Sequence, residues 1–192
     1  MEIDNELKAL MAPQNCALVI WDVQNMLVNT IFNKEDFLEV NNRVITLARD
    51  HQVPIFFSKI TPLPDRFESV GRKYFGKRRT RALNLTPDGL DLTLHPQEMD
   101  VVLNKNTASI FIGTNFELVL RNAGISTILF TGIATEIGVE SSARDALNRG
   151  FFPVILSDAV SSFSQESHNR SLENLKNMMA VLPSSDLKKI WG

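Results

Sequence analysis

The feature that most constrains this chain is a series of short runs of branched and aromatic residues, apolar at successive positions. They are Cys16–Trp21, Pro54–Phe57, Val101–Leu103, Thr127–Thr131, Pro153–Leu156 and Met179–Leu182. A strand with one wet face alternates, whereas a strand covered on both faces does not. Continuous runs of branched and aromatic residues therefore predict a parallel sheet buried between helices. The intervening segments carry helical spacing. Phe37, Val40, Val44, Leu47 and Ala48 form one apolar stripe. Thr114-Asn-Phe-Glu117 reads as a capping box opening a helix, and Gly124 and Gly150 stand where helix C-termini favour a left-handed residue. Strand–helix–strand repetition predicts an α/β fold, a six-stranded parallel sheet with helices on both faces in a three-layer sandwich. The exception is Thr61 to Asp100, a proline-containing stretch without strand signal. Connections of that length carry function or some helix of their own.

A length of 192 residues fits one domain, 1–192. Twenty Lys and Arg against 22 Asp and Glu leave a net charge of −2, which argues against a nucleic-acid partner. No apolar run approaches the ~20 residues of a membrane span, and Met1–Leu10 lacks the pattern of a secretory leader. One cysteine builds neither a disulfide nor a thiolate cluster. A cytoplasmic protein with a small-molecule substrate, no membrane partner, no cofactor and no metal is the expectation.

In open parallel sheets, ligands bind at the carboxyl ends of the strands, near the point where strand order reverses. Asp22, Lys59, Lys105, Gly132 and Asp158 follow the first five runs in turn. The mixed charges among them are expected to share one rim, Asp22 foremost. The alternative for Asp22 is a loop or helix cap. The sequence contains no Gly-x-Gly-x-x-Gly, P-loop or Gly-x-Ser-x-Gly elbow. His51, His95 and His168 show no ligand spacing. His51, at a helix end, is read as a dipole-facing residue, and His168 as part of the helix that follows Ser164.

Three ordered motifs carry a resemblance. Ala17-Leu-Val-Ile-Trp-Asp22-Val-Gln24-Asn25, Lys105-Asn-Thr-Ala-Ser-Ile-Phe111-Ile-Gly-Thr114, and Thr131-Gly-Ile-Ala-Thr-Glu-Ile-Gly138-Val-Glu-Ser-Ser-Ala-Arg-Asp145-Ala are followed by Gly150 and Ser157-Asp158-Ala159. Together they resemble the isochorismatase-like hydrolases, the cysteine hydrolase superfamily, from about Ala17 to Leu182. The resemblance implies a rim triad of Asp, Lys and Cys. Asp22 and Lys105 match two positions; Gly138 stands at the third. Without a thiol, covalent amidase chemistry cannot run there. Cys16, at the far end of the first strand, does not substitute; its expected role is a small buried hydrophobe. Ser141 and Ser142 are expected to bond to carbonyls of the preceding turn.

Isochorismatases, one branch of this family, carry Gly at the corresponding place. They cleave an enol ether to release pyruvate, with the Asp as proton donor. That implies an acid role for Asp22, an orienting role for Lys105, and substrate contacts from Gln24, Ile133, Ala134 and Arg79. Gln24 reads equally well as a loop brace. The Ile133–Ala134 peptide is expected to be cis. Gly138 is expected to leave bare helix amides that receive an anionic group. The cluster Arg72, Lys73, Lys77, Arg78, Arg79 and Arg81 offers carboxylate recognition, or alternatively a solvated face. Family members commonly form dimers or larger homo-oligomers. Three alternatives stay open: a hydrolase of a different small acid without covalent catalysis, a silent, binding-only member, and an amidohydrolase in which glycine at 138 is an engineered replacement of cysteine.

Overall fold

The computed structural model describes residues 3–76 and 85–192. Six strands form one sheet: β1 (Cys16–Trp21), β2 (Ile55–Ile60), β3 (Val101–Lys105), β4 (Thr127–Ile133), β5 (Phe152–Ser161) and β6 (Ala180–Leu182). Their order is β3-β2-β1-β4-β5-β6, and every neighbouring pair is parallel. The chain lays strands outward from β1 in one direction, then returns to β4 and continues in the other. The reversal lies between β1 and β4, where a ligand crevice is expected.

Both faces are covered, which is why β1 reads as six apolar residues with no alternation. Leu18 and Ile20 pack with Phe37, Val40, Val44, Ile45 and Ala48 of the helix Lys34–Asp50. Ile45 takes a core place that the predicted stripe did not include, while Leu47 is half-buried. Ala17, Val19 and Trp21 face the opposite layer, with Phe116 and Leu120 of the helix Phe116–Asn122, Ala143 and Ala146 of Glu140–Asn148, and Leu172 and Leu175 of Gln165–Lys176. Among the described residues no helix is long and apolar enough to cross a membrane.

The long connection carries a 3-10 turn at Asp65–Phe67, the helix Val70–Gly76 and a single helical turn at Pro87–Leu90. Two local expectations need correction. The capping box does not form: Thr114 Oγ1 accepts from the Phe116 amide at 3.2 Å, and Glu117 pairs instead with Arg121 and Arg149. The fifth strand does not end at Leu156. A register shift against β4 lets it run on to Ser161, so Asp158 lies within β5. Its carboxylate accepts from the Ser184 amide at 2.7 Å and the Ser184 hydroxyl at 2.8 Å, tying β5 to the chain after β6.

Candidate active site at the carboxyl ends of the strands

Asp22 follows β1 with φ of 46°, in the left-handed region that a non-glycine residue rarely adopts. Ser58 of β2 holds it there from two sides. The Asp22 amide donates to Ser58 Oγ at 3.1 Å, and Ser58 Oγ donates to Asp22 Oδ1 at 2.6 Å. Ser58 is fully buried inside an apolar strand. Sequence reasoning assigned it no role, and its signal was a small polar residue directly after the apolar run Ile55–Phe57.

Lys105, the last residue of β3, reaches across β2 and donates to Asp22 Oδ2 at 2.6 Å. It also donates to the Thr107 carbonyl at 3.2 Å, and its ammonium sits 3.8 Å from the centroid of the Trp21 ring. Both members of the pair are buried. Burial is the largest influence on each, pushing the Asp22 carboxyl up and the Lys105 amine down, while their mutual attraction pulls the other way. Arg72 lies near enough for its charge to lower both.

The side chain of Trp21 explains the glycine at 138. A Cβ built on Gly138 would meet Trp21 Nε1 at 1.9 Å and Cε2 at 2.2 Å. The indole edge therefore occupies the space where any side chain at 138 would begin. Gly132, at φ 107°, does the same for the backbone: a Cβ there would lie 2.1 Å from the Trp21 carbonyl oxygen. Two glycines thus admit one tryptophan. The Gly138 amide is not bare, as the sequence reading expected. Together with the amides of Ile137 and Val139, it converges on the Ala134 carbonyl at 3.1–3.3 Å, in a π turn preceding the helix Glu140–Asn148. Ser141 and Ser142 donate to the Ile137 and Gly138 carbonyls at 2.5 and 2.7 Å, so each hydroxyl is engaged with the preceding turn.

A cavity of about 710 Å³ opens above these groups. Trp21, Asp22, Lys105, Ile133, Ala134 and Gly138 line its floor, with the Ile133–Ala134 peptide cis. Pro62, Asp65, Glu68, Gly71, Arg72, Lys73 and Leu85 of the long connection form one wall. There Arg72 stands 3.6 Å from Glu68, and Lys73 3.7 Å from Asp65.

The structure thus brings Asp22, Lys105, Gly138, Ile133 and Ala134 together. Gln24 does not line the cavity. Its Nε2 donates to the carbonyls of Leu90 at 2.8 Å and Ile60 at 3.3 Å, and its Oε1 accepts from the Ile60 amide at 2.8 Å. It braces the loop, the second of the two roles read for it. Lys59 and Asp158 are likewise absent from the cavity lining. Lys77, Arg78, Arg79 and Arg81 lie outside the described residues; of the basic cluster, Arg72 and Lys73 are the members seen at the cavity. His51 Nδ1 lies 2.9 Å from the Leu47 carbonyl at its helix end. His168, on the helix capped by Ser164, is buried beside Thr135 Oγ1 at 2.8 Å and lines no part of the cavity. Cys16 is buried and its thiol is pushed up to about 12 by desolvation.

Comparison with known proteins agrees with this architecture. The Isochorismatase domain model matches residues 16–186. The isochorismatase family protein YecD of Escherichia coli O157:H7, itself uncharacterized, is 33% identical over 171 residues, covering 88% of this chain and 91% of the relative. The ureidoacrylate amidohydrolase RutB of Pseudomonas syringae pv. syringae is 28% identical over 203 residues, covering 92% and 83%. Among solved structures, a cysteine hydrolase from Pseudomonas syringae pv. phaseolicola superposes with a TM-score of 0.83 at 20% identity, over 93% of this chain and 92% of that one. The match runs from the first residue of β1 to beyond β6, through every strand that positions the cavity floor, and the chain belongs to the isochorismatase family of hydrolases.

Proposed function

We propose that this hydrolase acts on a small anionic substrate of the enol-ether type, with Asp22 as general acid and no covalent intermediate. The observation that carries the reading is the composition of the cavity floor. It presents a buried carboxyl pushed toward its neutral form and an indole edge over Gly138, where a nucleophile would otherwise stand.

In this reading neutral Asp22 delivers its proton to the terminal methylene carbon of a vinyl ether. The C=C electron pair forms the new C–H bond, and positive charge develops on the ether carbon as an oxocarbenium ion. Water adds to that carbon and its released proton restores Asp22. The hemiketal then collapses, its hydroxyl proton passing to the departing alkoxide, to give pyruvate and an alcohol. Lys105 holds Asp22 in place through the 2.6 Å contact. Ser58, on the other oxygen, fixes the carboxyl orientation. The cations Arg72 and Lys73 on the wall favour a substrate bearing carboxylates. Arg79, the arginine that the sequence reading chose for this contact, lies outside the described residues. A Cys at 138 does not fit beside Trp21 as the indole is placed, which weighs against the amidohydrolase alternative. We further propose a cytoplasmic homo-oligomer, on the family resemblance alone.

The test is pyruvate release from isochorismate by the wild type and by Asp22→Asn. Release by the wild type that falls at least a hundredfold in the variant supports the reading. Release that the substitution leaves unchanged overturns the acid role, and no release by the wild type overturns isochorismate as substrate.

A further inference from the structure

The tryptophan at the end of β1 does more than fill space. Trp21 is 1% exposed, and Lys105 fixes its ring from one side at 3.8 Å from the centroid. Gly138 admits its Nε1 edge. A buried indole N–H ordinarily finds an acceptor, as Trp191 does by donating to the Met11 carbonyl at 2.7 Å. Among the described residues, no acceptor lies on Trp21 Nε1, and that atom is not one of the sealed, unpartnered polar atoms of the interior. Trp21 lines the cavity beside Asp22 and Lys105. The helix amides that would otherwise have greeted an anion there are bound to Ala134.

We infer that Trp21 is a substrate-binding residue whose indole N–H donates a hydrogen bond to a carboxylate oxygen of a ligand bound in the cavity that Trp21 lines. This rests on the reading of the cavity as a site for small carboxylates. The geometry gives it a definite form. Asp22 and Lys105 satisfy each other, so neither is a free donor to a ground-state carboxylate. Trp21 Nε1 is the unoccupied donor on the floor, and Arg72 supplies charge from the wall. Both line the cavity that Asp22 and Lys105 also line.

The experiment follows the indole itself. The chain contains two tryptophans, so 15N-labelled protein shows two indole N–H resonances, assigned with Trp191→Phe. Benzoate, pyruvate and isochorismate are titrated separately. The expected result is a saturable downfield shift of the Trp21 resonance while that of Trp191 stays fixed. In Trp21→Phe, which keeps an aromatic ring under Lys105, KM is expected to rise about tenfold with kcat changed less than threefold, the loss of one hydrogen bond. A merely structural role would lower the melting temperature without that split. A Trp21 resonance unmoved by all three carboxylates overturns the inference. If pyruvate is released from isochorismate and the resonance stays fixed, the inference fails while the proposed function stands. If no pyruvate is released and benzoate moves the resonance, the reverse holds.

Discussion

The floor and the wall of the cavity are built on different principles. Trp21, Asp22, Lys105 and Gly138 are buried at the ends of strands and the start of a helix, and each is pinned by at least one neighbour. The wall comes from a connection of short turns in which Phe67 is 67% exposed, Val70 84% and Tyr74 51%. Of its paired charges, Glu68, Arg72 and Lys73 are half-buried and Asp65 is exposed, and the pairs stand at 3.6–3.7 Å. Buried groups in fixed geometry suit bond-making, where a displacement of ~1 Å lowers the rate about a hundredfold. Exposed groups on a lightly packed connection suit selection among substrates. In the proposed function the floor therefore carries the reaction and the wall the choice among substrates.

That division can be broken from either side. The largest effect is expected at the floor: Asp22→Asn should lower kcat by about 10³-fold, the range of general acid catalysis, measured as pyruvate release. The same group sets the pH dependence. An acid must be protonated to act, and burial raises the Asp22 pKa. kcat/KM should therefore hold on the acid side and fall as pH rises through that raised value; a profile without this basic limb would break the assignment.

Next comes packing. Gly138→Ala places a methyl group within the Trp21 indole. It should lower stability by about 3 kcal/mol, as overpacking does, read from denaturant unfolding. Combined with Trp21→Val, the same alanine should have little further effect, because the obstructing ring is gone. Strictly additive losses would show that the two residues are not coupled.

Gln24→Ala removes two bonds to Ile60 at the end of β2 and one to the Leu90 carbonyl of the long connection. A loss of about 2 kcal/mol in stability is expected, with KM affected more than kcat because the wall shifts relative to the floor.

The wall itself should give a smaller effect. Arg72→Ala is expected to raise KM about tenfold with stability unchanged, and the effect should shrink as salt is added, since half-exposed charges are screened over ~8–10 Å. A kcat loss as large as that of Asp22→Asn would erase the distinction between floor and wall. The smallest expected effect is none: iodoacetamide should leave activity unchanged, because the only cysteine is buried with its thiol pushed up to about 12.

Much of the floor was legible in the sequence because its placement follows from strand ends. The run Cys16–Trp21 is β1 residue for residue, and Asp22 and Lys105 stand where parallel strands present their ligating residues. Contacts that depend on side-chain direction were not legible. No spacing reveals that Trp21 and Gly138 meet, since one lies on a strand and the other in a π turn 117 residues later. The expected bare amides disappeared for the same reason, their acceptor being a carbonyl positioned by that irregular turn. Asp158 was misplaced because a register shift in β5 adds residues that apolarity alone does not announce. Gln24 had two readings because a polar residue near a site looks the same whether it faces the ligand or the backbone.

The sheet order has a consequence for how the molecule comes into being. The strand that ends in Asp22 lies between β2 and β4, and its residues Cys16 to Trp21 pair with Thr127 to Gly132, more than a hundred residues later. Loop closure over such distances slows folding. On the ribosome, a nascent chain that has released Asp22, Ser58 and Lys105 still lacks β4, so the future centre of the sheet is for a time its unprotected edge. Such an edge invites pairing with other chains. The enzyme's hazard during synthesis is therefore concentrated in the interval before Thr127 emerges, and slowing translation after that point should do less harm than slowing it before.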